Sequence, residues 1–230
     1  MAEDLNLDSD RYSVVLVVFF ATYVFFEVPS NMILNRSSPS VYLPAIMALW
    51  GAVTIGMGFS PNYHVLLALR VLMGTLEAGF APGVLLLISS WYKKEEQSKR
   101  FAVYISAAIL SGAFGGLLAG SITTGLKDAH GIEGWRWLFI VEGVGTIGVA
   151  AIAFFVLPDF PATTSSRKFT EAEKRLAVIR LQNDDQQLRN DDEERMGEWA
   201  ALRESLSNWK TWAFVVGYMV CLTLPTLYRT

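Results

Sequence analysis

The chain is a succession of long apolar blocks divided by short polar breaks, with one long polar stretch before the last block. The blocks are Tyr12–Leu34, Val41–Phe59, Val65–Ser90, Phe101–Ser121, Trp137–Leu157 and Thr211–Tyr228. Each is near the roughly 20 residues that an α-helix needs to cross the hydrocarbon of a bilayer. Backbone groups in lipid must pair within their own segment, so every block predicts a helix. None alternates with the period of two that a membrane barrel strand shows. The expected fold is therefore an all-α integral membrane, multi-pass helical bundle of six spans.

The pattern divides the chain into three parts. Residues 1–157 carry five spans. Residues 158–210 form a polar linker, and residues 211–230 carry the sixth span. Pro158 and Pro161 end the fifth span. Thr170 followed by Glu173 fits a capping box and predicts a helix start. Leu176, Ile179 and Leu188 form a weak apolar stripe beyond it, and Trp199, Leu202 and Leu206 mark a second short helix on the membrane surface. The run Asp191–Glu194 reads as a hydrated face.

Loop charges orient the spans. Arg36 follows the first. Lys93, Lys94, Lys99 and Arg100 follow the third, and nine cations from Arg167 to Lys210 lie between the fifth and sixth. By the positive-inside rule these loops are cytoplasmic. The connections Ser60–His64 and Ile122–Arg136 hold only Lys127 and Arg136. The first span then runs inward from outside, although the acidic start, Met1 to Asp10, has no secretory signal character. The expectation is a further helix before residue 1 and a chain truncated at both ends. The sequon Asn35-Arg36-Ser37 falls on the cytoplasmic side, where it stays bare.

Composition agrees with a membrane protein. Hydrophobic residues make up 52% of the chain and charged residues 18%, which is too apolar for an ordinary soluble domain of this size. The net charge of −3 gives no reason to expect nucleic acid. Cys221 is the single cysteine, which excludes an internal disulfide or a cysteine metal cluster. His64 and His130 lie in short outer loops without metal-ligand spacing. No His, Ser, Asp or Cys cluster converges near the spans, so neither an enzyme nor a cofactor or metal site is expected.

Four side chains charged at neutral pH lie inside the spans: Glu27, Arg70, Glu77 and Glu142. Each costs on the order of 2.5–3.5 kcal/mol to insert unless it meets a polar cavity. Arg70 and Glu77 are seven residues apart, within about 20° on one helix face and roughly 10 Å apart along the axis. Gly74 and Ala81 share that face. An anion would fit against Arg70, with Gly74 leaving room, while Glu77 takes a proton. An ionised Glu77 about 8 Å from the anion would repel it by about 2 kcal/mol at an effective dielectric of 20, and protonation removes that repulsion. The alternative is that both residues pair with polar groups on neighbouring helices and hold the bundle together. Tyr23, Glu27 and Asn31 repeat every four residues on the first span, so Glu27 lines the same cavity, closes a gate near the cytoplasmic end, or serves structure. For Glu142, beside Gly143, structure is the favoured role.

Gly112, Gly116 and Gly120 on the fourth span, and Gly79 and Gly83 on the third, repeat at the spacing that lets helix backbones approach closely. Tight packing is expected there. Tyr23, Trp50, Trp91, Tyr92, Trp135, Trp137, Trp209 and Trp212 lie mostly near span ends, as interfacial anchors do.

Three stretches resemble the major facilitator superfamily. They are Phe25-Phe26-Glu27-Val28-Pro29-Ser30-Asn31; the run from Arg70 to Gly83, RVLMGTLEAGFAPG, continuing to Ser90-Trp91-Tyr92; and Gly134-Trp135-Arg136-Trp137-Leu138-Phe139 with Glu142-Gly143, ending at Leu157-Pro158-Asp159-Phe160-Pro161. Within that superfamily they are most similar to the anion:cation symporters, in the fungal allantoate-permease-like branch that carries nicotinate, biotin, pantothenate and allantoate. The resemblance covers nearly the whole chain, about Met1 to Val220, and implies that its spans are family helices 2 to 7 of a partial bundle. It implies proton-coupled symport of a small organic anion by alternating access in the plasma membrane. Arg70, Gly74 and Asn31 are then the substrate-binding residues, and Glu77 and Glu27 the proton-coupling ones. The basic glycine-containing motif usual at the third family helix is reduced here to Asn35-Arg36 with Ser37, Ser38 and Pro39. A carrier of this class places its site between two six-helix halves, so the chain alone is expected not to transport. A truncated, non-transporting membrane protein is the second reading. The partners expected are the bilayer, a small organic anion and H+.

Overall fold

The structure is a computed structural model that describes residues 4–5, 7–126, 131–161, 163–164, 169–188 and 198–217; for residues 182–188 and 198–202 it describes the backbone alone. Lys127, His130, Arg167, Lys168, Arg189, the run Asp191–Glu194, Arg195, Cys221 and the end of the sixth span, from residue 218 on, lie outside the described residues. So do the side chains of Leu188, Trp199 and Leu202.

Two compact units make up the chain, residues 1–185 and 186–230. In the first, α1 (Ser9–Asn35), α2 (Pro39–Gly58), α3 (Tyr63–Glu77), α4 (Phe80–Trp91), α5 (Lys94–Gly125) and α6 (Gly134–Val156) are followed by α7 (Glu171–Leu188), whose last residues, from Gln186, are counted in the second unit. Local chemistry sets the starts and stops. Pro39 opens α2 at a position where a missing N–H costs nothing. The Asn62 side chain accepts the Val65 N–H at 3.0 Å and caps α3. Glu95 and Glu96 sit in the first turn of α5, against the positive end of its dipole. Pro158 stops α6, whose last residue is followed by extended backbone at Leu157.

The third apolar block is one span, Tyr63–Trp91, built of two helices. Pro82 has no N–H to give to the Ala78 carbonyl, and its ring crowds that carbonyl. The chain turns at Ala78 and Gly79, and the ladder resumes with the Gly83 N–H on the Gly79 carbonyl at 3.1 Å. From Tyr63 to Trp91 the two helices and their turn make 29 residues, long and apolar enough to cross a bilayer, and α1, α2, α5 and α6 are each long and apolar enough as well.

Glycines govern the packing. On α3, Gly74 lies on the α1 backbone at Phe19–Tyr23; on α4, Gly79 lies on Ser30 and Gly83 on Leu34, so α1 runs parallel to α3 and α4. The hydroxyls of Ser30 and Tyr42 are 2.5 Å apart, joining α1 to the antiparallel α2. Trp50 meets Phe80 edge-on at 5.1 Å. Between α2 and α6, Gly51 and Gly143 face each other so closely that a Cβ on Gly143 would lie 2.6 Å from the Gly51 carbonyl oxygen. At one end of that pair the Arg136 guanidinium donates to the Gly58 and Ser60 carbonyls at 2.9 and 3.0 Å, placing a cation on the negative end of α2. One apolar cluster joins Leu5, Leu7, Val15, Met57 and Leu66; a second joins Leu34, Leu43, Ile46 and Leu87.

The fourth span departs from expectation. No residue of α5 is buried, and Gly112, Gly116 and Gly120 have nothing within 4 Å of a built Cβ. Among the described residues these glycines pack against no helix. The expected close approach holds for Gly79 and Gly83, where side chains of α1 and α2 occupy the space.

The linker helix α7 starts as its motif requires: Glu173 accepts the Thr170 N–H at 2.8 Å and Thr170 Oγ1 accepts the Glu173 N–H at 3.4 Å. Arg180 pairs with Glu96 at 2.9 Å, an exposed pair worth little by itself. In the second unit, α8 (Glu198–Ser207) is followed by helix over 209–217, and the Trp212 indole N–H donates to the Leu206 carbonyl at 2.8 Å.

Candidate functional site

Arg70 sits midway along α3, half-buried. Its guanidinium lies 6.0 Å from the centre of the Phe139 ring on α6, and Tyr12 on α1 is within electrostatic range. Its Nε is buried with no hydrogen-bond partner among the described residues. A buried donor on a permanent cation is costly to leave unpaired, so this position calls for an acceptor. Arginine presents its N–H groups in a planar fork that matches a carboxylate.

Glu77 is the last residue of α3, half-buried, immediately before the break at Ala78–Gly79. It acts electrostatically on Arg70 but forms no ion pair with it, because seven residues of helix hold the two groups about 10 Å apart along the axis. The broken turn leaves the Ala78 carbonyl free of its helical donor, which adds a polar backbone atom beside the carboxylate. Irregular backbone at membrane depth is tolerated where it lines a cavity or is buried in protein.

On α1, Tyr23, Glu27 and Asn31 follow each other at one-turn spacing. Tyr23 lies within electrostatic range of Glu27, Glu77 and Tyr104 of α5. Asn31 Oδ1 is buried without a hydrogen-bond partner among the described residues. The structure therefore gathers Tyr23, Glu27 and Glu77 from two parallel helices, with Tyr104 contributed by a third. Tyr104 escapes a reading that counts only groups charged at neutral pH. The signal available for it was a single phenol on a span otherwise poor in polar aromatics.

One expected role is corrected. The space over Gly74 is filled by α1, because a Cβ there would lie 2.5 Å from the Phe19 carbonyl oxygen, with Thr22 closer still. Gly74 brings α1 and α3 together and leaves no room for an anion. Glu142 stands apart: its side chain is exposed while its neighbour Gly143 is buried against α2.

Chemically, the arrangement offers one fixed cation with a buried donor that meets no acceptor among the described residues, two carboxylates, and neutral phenol and amide groups between helices. Comparison with known proteins identifies the framework. Residues 1–228 match the model of the Major Facilitator Superfamily. The MFS transporter prlL of Fungal sp. (strain NRRL 50135) is 36% identical over 216 residues, which cover 94% of this chain and 42% of that protein. The pantothenate transporter liz1 of Schizosaccharomyces pombe (strain 972 / ATCC 24843) is 32% identical over 181 residues, covering 79% of this chain and 35% of that protein. The chain thus spans less than half the length of these relatives. Its fold is also that of a bacterial homolog of the human lysosomal transporter Spinster, in an inward-facing and occupied crystal structure, with a TM-score of 0.58, 21% identity, and coverage of 73% of this chain and 40% of that one. The chain belongs to the Major Facilitator Superfamily, whose members are transporters rather than enzymes.

Proposed function

We propose that the chain supplies most of the N-terminal half of a proton-coupled carrier of a small organic anion, in the allantoate-permease-like branch of the anion:cation symporters and in the plasma membrane. The observation that carries the reading is the buried, unpartnered Nε of Arg70 on the same helix as Glu77. A carboxylate ligand completes the Arg70 fork, Asn31 adds a polar contact, and Glu77 with Glu27 holds the coupled proton. The relative named for pantothenate, which is a carboxylate, supports an anionic substrate. The loops rich in Lys and Arg face the cytoplasm on this reading. The site lies between the two halves of the whole carrier.

The test is uptake of labelled pantothenate by proteoliposomes holding the whole carrier. Uptake rises as the outside is acidified and falls at least about tenfold in Arg70→Ala, since a charged hydrogen-bonded contact of about 1.5–3 kcal/mol is lost. Uptake that is the same in Arg70→Ala as in the wild type removes the assigned site.

A further inference from the structure

The geometry points to Asp159 as a positioning residue that fastens the cytoplasmic ends of α2, α4 and α6 into one body, and so sets how the bundle bends next to Glu77. Asp159 lies just past the end of α6, between Pro158 and Pro161, whose fixed φ angles hold it in place.

The start of α2 has a vacancy that Asp159 fills. The side chain of its N-cap, Ser38, makes no capping bond, and Pro39 has no N–H to cap. The next amide, that of Ser40, donates to Asp159 Oδ1 at 3.0 Å, across 119 residues of sequence. A carboxylate at this point also meets the positive end of the α2 dipole. At the other end of α2 sits Arg136, so α6 grips α2 by both ends with the complementary charge at each. The main-chain carbonyl of Asp159 accepts the indole N–H of Trp91, the last residue of α4, at 3.0 Å. Phe169 of the linker packs on that indole with ring centres 4.8 Å apart. Beneath the polar contacts, Leu34, Leu43, Ile46 and Leu87 form the buried cluster against which Trp91 and Leu157 pack.

The fastening matters because of what lies next to it. Pro29 on α1, Pro44 on α2 and Pro82 on α4 each delete one rung of a helical ladder. The contacts of Ser30 with Gly79 and of Leu43 with Gly83 place these prolines near one level of the bundle. Helices bend at such points, and Glu77 is the last residue of α3 before the break at Ala78–Gly79. With Asp159 in place the segments beyond this level bend together. Without it they bend separately, and the movement at Glu77 is no longer shared.

Amide hydrogen exchange of the chain in lipid nanodiscs tests this. In Asp159→Ala, exchange at Ser40 rises about tenfold with the loss of the side-chain acceptor. In Asp159→Asn, which keeps an acceptor oxygen, it stays within about twofold of wild type. Trp91→Phe keeps an aromatic ring but loses the donor, and raises exchange at Ser40 about threefold by loosening Asp159. Wild-type exchange in Asp159→Ala, or an Asn variant as fast as the Ala variant, overturns the assignment. If Asp159→Ala is not recovered folded, unchanged exchange at Ser40 in Trp91→Phe overturns it. Uptake by the whole carrier adds a second readout, which rests on the proposed transport: Asp159→Ala lowers the maximal rate with the half-saturation concentration unchanged, and Asp159→Asn restores the rate. The exchange measurements need no transport, so a failure there falls on Asp159 and a failure of all uptake falls on the proposed function.

Discussion

At Arg70 the shape of the cation matters as much as its charge. A guanidinium offers five donors in a fixed plane, whereas a lysine ammonium is a compact point charge on a flexible stem. Arg70→Lys therefore keeps the attraction for an anion but loses the paired contacts. The expected result is a weaker half-saturation for substrate by roughly tenfold, with folding unchanged, read from uptake beside a thermal melt. Glu173 makes a separate residue-scale prediction on the linker. Its carboxylate accepts the N–H and the hydroxyl of Thr170, and these bonds hold its pKa below the usual glutamate value. A carboxylate with a depressed folded pKa adds stability that is present above the unfolded pKa and is lost as pH falls through the folded one. The first turn of α7 is thus expected to stay formed at neutral pH and to fray only in acid below the ordinary glutamate range. Carbon-detected NMR of the Glu173 carboxyl checks this, and Thr170→Val, which removes the hydroxyl but keeps the N–H, moves its titration only part of the way back up. The capping pair was legible in the sequence because both partners sit four positions or fewer apart. The partners of Arg70 were not, because Tyr12 and Phe139 arrive from other helices and carry no spacing signal.

Among the helices, glycine spacing tells where two backbones are allowed to meet, and tertiary packing decides whether they do. The repeat at Gly112, Gly116 and Gly120 is the most regular in the chain, yet nothing approaches it among the described residues. Gly51 and Gly143 do meet, as does Gly58 one heptad on against Arg136 and Ile140, but none of these has a glycine four positions away on the same helix, so the four-residue pattern did not flag them. Pro82 was visible, but an unbroken apolar run on both sides hid the break that it makes after Glu77. These facts set opposite expectations for the same substitution. Gly143→Ala drives a methyl into the α2 backbone, which no side-chain rotation relieves, and costs roughly 1–3 kcal/mol. Gly116→Ala meets open space and gains helix propensity, stabilising this chain by roughly 0.5–1 kcal/mol. Melting the two variants side by side in detergent checks the signs. A Gly143→Ala variant as stable as wild type would mean that α2 and α6 do not touch at Gly51.

For the whole molecule, the number of spans in residues 1–157, their alternating direction and the family were all legible, because bilayer thickness and backbone pairing leave few solutions for apolar blocks of this length. Which side chains of different helices come near one another was only partly legible, since a helix shows its own face but not what stands opposite. The coupling prediction belongs at this scale. If the anion binds at Arg70 with Glu77 about 8 Å away, ionisation of Glu77 weakens binding by about 2 kcal/mol, or roughly thirtyfold. The wild-type carrier should then show a half-saturation concentration that rises by about that factor as pH increases through the Glu77 titration. Glu77→Gln removes the titrating group but keeps its shape and leaves Arg70 unopposed. Its half-saturation is expected to be low and flat with pH. A proton gradient should no longer drive accumulation, while exchange of labelled for unlabelled anion continues, because binding and reorientation survive without a proton to carry. Glu77→Gln proteoliposomes that still concentrate pantothenate under an inward proton gradient would move the coupling group elsewhere, with Glu27 the next carboxylate to replace.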